Sequence, residues 1–186
     1  MEADLQNKQI CTALLFLQMA SCGAMAGNRH QVIINGGMVH LRGVLTAAAC
    51  SVSIESQNQT VNMGMIRSNQ FSGLGSYGPP VAFNIHLTEC SVAVSNTVGI
   101  TFFGVADGKD PQVLKTEIGE NSASGVGLAL FDRHGEIIQP NTAPRSFEYT
   151  HEGDNSLRFI ARYRATSREV VGGSADVSTW FTLTYQ

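Results

Sequence analysis

Hydrophobic and polar residues alternate with a period of two over most of this chain, and the alternation breaks at turn-forming residues. Val81, Phe83, Ile85 and Leu87 run without interruption into Cys90. Leu157, Phe159, Ala161 and Tyr163 alternate against Arg158, Arg162 and Arg164. Phe181, Leu183 and Tyr185 alternate with Thr182 and Thr184. Successive side chains of a strand point to opposite faces, so each run predicts a strand with one buried face. Weaker runs predict strands at 39–45, at 98–105, at 126–131 and at 136–138. Cys50, Val52 and Ile54 fall in step, as do Val61, Met63 and Met65 over 60–66, and the final strand is expected over 177–185. Between them lie turn signals: a Gly-rich loop at 68–80 ending in Pro79-Pro80, Asp107-Gly108-Lys109-Asp110-Pro111, a polar loop at 115–124, Asp132 to Gly135, a loop bracketed by Pro140 and Pro144, and Gly172-Gly173. No stretch carries a helical period. About seven short strands at such spacing predict one all-β domain, a sandwich of immunoglobulin-like type.

The parity of burial changes inside residues 32–45. Val32, Ile34, Gly36 and Met38 share one parity; Val39, Leu41 and Leu45 share the other. One straight strand cannot bury both sets. Asn35-Gly36 flanked by β-formers is a hairpin signal, and a hairpin would reconcile the two. The alternative is a strand, up to Met38, meant for the sheet edge of another molecule.

Composition narrows the class. Charged residues make up 15% of the 186, glycine occurs 19 times and the net charge is −3. There is no basic stripe to hold nucleic acid. The apolar run at 10–19 is too short to span a bilayer. Ala24-Met25-Ala26 follows it as a small-residue cleavage site, so residues 1–26 read as a signal peptide. Cleavage there removes Cys11 and Cys22 and leaves Cys50 and Cys90. An even pair in an exported chain reads as a disulfide; two buried free thiols would fit only a chain that is not exported.

Candidate chemistry is sparse. His30, His40, His86, His134 and His151 are scattered, without metal-ligand spacing. By strand parity, His40 and His86 point away from the core. The segment ending in Gly108-Lys109 looks superficially like a phosphate-binding loop. It lacks the required glycine, since Phe103 stands there, and the hydroxyl after the lysine, since Asp110 stands there. Asp107 and Asp110 belong to a turn, and Arg158, Arg162 and Arg164 read as a solvated strand face. No residue set supports an enzyme, a cofactor or a metal.

Several segments, in order, resemble the pilins of type 1 fimbriae, which are assembled by the chaperone–usher pathway. They are Asn35-Gly-Gly-Met-Val-His-Leu-Arg-Gly43, Ala48-Ala49-Cys50-Ser-Val52, Val61-Asn-Met-Gly64, Phe83-Asn-Ile-His-Leu87 through Cys90, Val126-Gly127 to Phe131-Asp132, and Phe159 to Thr166. The end of the chain resembles them too, with a penultimate Tyr185 and Gly173 fourteenth from the terminus. Met38, Arg42 and the segment 104–114 look more like the fimbrin-like accessory subunit than the abundant rod pilin.

The resemblance implies a definite architecture. It is an incomplete immunoglobulin-like β-sandwich lacking its last strand, completed by a donor strand from another subunit. Residues 27–38 would be the N-terminal donor extension and 39–186 the pilin domain. His30, Val32, Ile34, Gly36 and Met38 would be the donor positions facing a neighbour's groove, with Gly36 at the small position. Gly173, Phe181, Leu183 and Tyr185 would form the chaperone-read tail and acceptor edge. The implied partners are a periplasmic chaperone, an outer-membrane usher and neighbouring pilin subunits, with no nucleic acid or small-molecule substrate. The implied route runs through the periplasm to a surface fimbrium. A pilus-associated adhesin or binding module on the same sandwich is the alternative. The donor extension speaks against it, because a tip subunit has nothing to complement.

Overall fold

The computed structural model describes residues 49–186. The expected signal peptide, the donor positions from His30 to Met38, His40 and the strand expected at 39–45 lie outside the described residues.

The described chain forms two sheets. The larger holds β1 (Ser51–Val52), β2 (Val81–Cys90), β8 (Gly153–Ala165), β5 (Val126–Phe131) and β4 (Leu114–Lys115) in that order, with β6 (Ile137–Ile138) also on β5. The smaller holds β7 (Glu148–Tyr149), β3 (Thr97–Phe103) and β9 (Trp180–Tyr185). Every strand pairing is antiparallel. The inner faces meet in one core: Ile85 and Leu87 from β2 and Leu157, Phe159 and Ala161 from β8, as the alternation predicts, joined by Ile100 and Phe102 from β3 and Leu128 and Leu130 from β5. This is an immunoglobulin-like sandwich, with the smaller sheet ending at β9.

An aromatic cluster ties the sheets together. The Phe102 ring, 2% exposed, stands perpendicular to Phe159 at 5.5 Å and lies 6.2 Å from Phe181. Phe83 completes the group, 5.5 Å from Phe159. Two of these rings come from each sheet, and edge-to-face contacts add to the gain from apolar burial.

Cys50 and Cys90 form a disulfide. It links the residue before β1 to the end of β2, where Ser51 lies opposite Thr88. The two segments lie side by side as neighbouring strands of the larger sheet. The bond closes a loop of 40 residues. Ser91 N–H donates to the Ala49 carbonyl at 2.7 Å, continuing the ladder past the bond.

Four local expectations are corrected. Ile54 does not stay in step with Cys50 and Val52; it is 86% exposed. After Ser53 N–H reaches the His86 carbonyl, the chain turns into a one-turn helix α1 (Ile54–Gln57). There Ser56 Oγ accepts the His86 N–H at 2.9 Å, so a side chain takes over from the strand ladder. The expected strand at 60–66 is absent. Gly64 takes a φ of +69°, which resets parity and leaves Met65 96% exposed while Val61 and Met63 stay half-buried. The last strand starts at Trp180, not at 177, because Ser178 and Thr179 side chains bond elsewhere, to Glu117 and to the Phe103 carbonyl. The arginines of β8 are not one solvated face. Arg162 and Arg164 stack on the Tyr77 ring, Arg164 pairs with Asp110 at 3.2 Å, and Arg162 donates to the Gly78 carbonyl. Arg158 is exposed, as expected, and so is His86.

Replacing both Cys50 and Cys90 by alanine should lower the unfolding free energy by roughly 4 kcal/mol, the loop-entropy value for a bridge of this span. Urea unfolding of the double variant beside the oxidised wild type measures it. Phe102→Ala should cost about 3–5 kcal/mol, because the cavity lies at the contact between the sheets; the same titration would show a much smaller loss if the cluster were peripheral.

Candidate functional site

Among the described residues the sandwich is open along one side. A groove of about 1180 Å³ runs between the sheets, bordered by residues 57–66 on one wall and 170–181 on the other. Its floor is core: Phe83, Ile85, Phe102, Leu130 and Ala161 reach it. These residues belong to the same cluster that holds the sheets together. Apolar surface at that depth is ordinarily covered by protein, and a cleft of this size marks a binding site.

Both walls offer unpaired backbone. β9 pairs with β3 along its whole length, from Val98 opposite Tyr185 to Phe103 opposite Trp180. Its other edge has no strand partner among the described residues. Such an edge presents a row of free N–H and C=O groups, a template for one more strand. Opposite it, residues 58–66 make no backbone–backbone hydrogen bond with one another or with other described residues. Met63 packs its side chain against the core from this wall.

The wall at 170–179 is held from outside. Ser124 and Val171 exchange backbone hydrogen bonds of 3.0 and 3.1 Å, Ala123 N–H donates to the Ser174 carbonyl at 2.7 Å, and Ser174 N–H donates to the Asn121 carbonyl at 2.8 Å. Gly173 is pressed onto that loop: a Cβ there would sit 2.4 Å from the Asn121 carbonyl oxygen and 2.5 Å from the Ser122 carbonyl carbon. Only glycine fits, whatever else reads this segment. From inside, the Tyr163 hydroxyl donates to the Ala175 carbonyl at 2.6 Å. Burial, followed by the nearby Asp176 charge, raises the Tyr163 phenol above its usual 10.0. Burial raises Tyr185 too, and its hydroxyl donates to the Cys50 carbonyl.

The residues expected at the acceptor edge divide. Gly173 and Phe181 border the open volume. Leu183 and Tyr185 lie further along β9 and pack against the core beside it. Thr182 and Thr184 point the other way, exposed, while Trp180 is exposed at the rim of the groove. Tyr163 and the floor residue Phe83 were legible in the sequence only as core; parity placed them inside without revealing that the core is open beside them. The segment 107–110 is a turn, in which Asp107 Oδ1 accepts the N–H groups of Lys109 and Asp110. Among the described residues no cluster of His, Cys, Asp and Glu is placed to hold a metal. Among the described residues the groove combines an apolar floor with two unpaired edges, which suits an extended chain.

Comparison with known proteins agrees with this geometry. The family model described as fimbrial protein matches residues 39–186. The fimbrin-like protein FimI of Salmonella typhi is 41% identical over 155 residues, 83% of this chain and 88% of that one. The fimbrial subunit type 1 of Salmonella typhimurium is 33% identical over 185 residues, 98% and 100% of the two chains. Among solved structures, the type I fimbria protein of Burkholderia pseudomallei superposes with a TM-score of 0.58 at 36% identity, covering 75% of this chain and 91% of that one. The P pilus rod subunit PapA shares the fold, with a TM-score of 0.63 at 20% identity over 75% and 100%. With a model match over the whole described sandwich and relatives at this identity, the chain belongs to the fimbrial protein family.

Proposed function

We propose that this chain is a structural or accessory subunit of a type 1-like fimbria, and that its groove receives a strand donated by a neighbouring subunit. The observation that carries the reading is the open seam itself: among the described residues β9 ends the smaller sheet with its edge unpaired, directly beside a groove that reaches Phe83 and Phe102. A donated strand would pair with β9 and cover the floor with alternate side chains.

The donor in this reading is the chain's own N-terminal extension, residues 27–38, acting on the next copy. His30, Val32, Ile34, Gly36 and Met38 share the parity that would face the groove. Burying Val32, Ile34 and Met38 contributes roughly 1.5–3 kcal/mol each, added to a ladder along β9. Donation from one subunit to the next is a heterologous contact that does not close, so it builds a filament. Residues 1–26 would direct export, a periplasmic chaperone would cover the groove in transit, and an outer-membrane usher would exchange it for the donor. Gly173, Phe181, Leu183 and Tyr185 would be the stretch that the chaperone reads.

Two outcomes test this. A synthetic peptide of residues 28–38 should raise the urea midpoint of the exported chain, by about 2.7 kcal/mol at a concentration one hundred times its Kd, and slow amide exchange along β9. A chain lacking residues 27–37 that unfolds cooperatively at an unchanged midpoint and gains nothing from the peptide would sink the reading. In sheared fibres, cross-linking and mass spectrometry should connect residues 28–38 of one copy to 180–185 of the next; links confined to single copies would count against donation between subunits.

A further inference from the structure

The groove is open although its floor is apolar and one wall is a connecting segment. Residues 166–179 run from β8 in the larger sheet to β9 in the smaller and contain Gly172-Gly173. A connection this rich in small residues would bury the floor by sagging inward, unless something holds it off. The backbone bonds to residues 117–124 act from its outer side, where Glu117 N–H also donates to the Asp176 carbonyl at 2.8 Å. From the groove side the hydroxyl of Tyr163 reaches the segment, at the Ala175 carbonyl.

We infer that Tyr163 is a positioning residue for strand uptake: its ring stands on β8 as a strut, and its hydroxyl fixes the 170–179 wall at the distance an incoming strand requires. Tyr163 lies opposite Leu128 of β5, so its ring rises from the larger sheet into the sandwich and packs on the core. Its hydroxyl then needs a partner, as a buried phenol does, and the wall supplies it. Burial and the Asp176 charge favour the protonated phenol, so the donor is retained throughout the neutral range. The same wall carries Gly173, whose contact with residues 121–123 leaves no space for a side chain. Strut and outer loop thus grip one segment from two sides.

This inference rests on the groove reading and adds a kinetic consequence. A wall held ready raises the fraction of molecules able to accept a strand. That fraction scales the apparent affinity, and it enters through association when the wall must be in place before the strand docks. The exported full chain with its disulfide intact, mixed with excess peptide 28–38, can be followed by stopped-flow fluorescence of Trp180, the one tryptophan, which borders the groove. Tyr163→Phe keeps the ring and removes the hydroxyl. It should lower kon about five- to tenfold, the scale of one hydrogen bond, and leave koff within about twofold.

Thr142→Val is the matched control. It deletes a part-buried hydroxyl that donates to the Gln139 carbonyl, away from the groove. It should lower the urea midpoint comparably and leave kon unchanged. Equal kon in wild type and Tyr163→Phe, or an effect confined to koff, would overturn the strut. Equal slowing by Thr142→Val would assign the effect to general stability and overturn it as well. A wild-type chain that takes up no peptide would overturn the groove reading and this inference with it, and is distinguishable from a wild type that binds normally beside an unaffected variant.

Discussion

The two sheets differ in width, and the rest of the molecule follows from that mismatch. The larger has β2, β8 and β5 as long central strands; the smaller has β3 and β9, with only the two-residue β7 beyond. A sandwich needs its inner faces to cover each other. Among the described residues the smaller sheet stops one strand short, so Phe83, Phe102 and Leu130 reach an open groove while serving as core on their other sides. The same rings that hold the sheets together thereby form the floor of the site.

Stability and function are coupled through that shared surface. The aromatic cluster and the disulfide act at some distance from the seam or beneath it, and they keep the sandwich assembled while its edge is uncovered. The walls are unequal. Residues 170–179 are braced by backbone bonds and by Tyr163, whereas residues 58–66 lack backbone partners among the described residues. Local stability follows such pairing, so the braced wall can serve as a template and the other as the side that adapts.

Most of the strands were legible in the alternation, because a sandwich strand buries one face and shows the other. Val81 to Leu87 and Leu157 to Tyr163 lie where the alternation put them. The failures share a physical cause. Ile54 and Met65 continue an apolar pattern past the point where the backbone stops being extended. At Ser56 a side chain replaces a ladder bond, and at Gly64 a positive φ turns the chain over. Arg162 and Arg164 read as solvent-facing because their parity does point outward. Nothing local announces that Tyr77 and Asp110, distant in sequence, fold over them.

The sequence by itself determined the fold class, the strand faces, the pairing of the two cysteines left in an exported chain, and a change of parity at residues 32–45 that one straight strand cannot satisfy. Ordered motifs added the family resemblance. Only the tertiary structure decided that, among the described residues, β9 closes its sheet with a free edge, that the core lies open beside it, and that Gly173 and Tyr163 hold one wall of the opening. Alternation reports which face of a strand is buried, a property of neighbours in sequence. Whether the next strand is present to cover that face depends on contacts between residues far apart in the chain, and no local pattern encodes them.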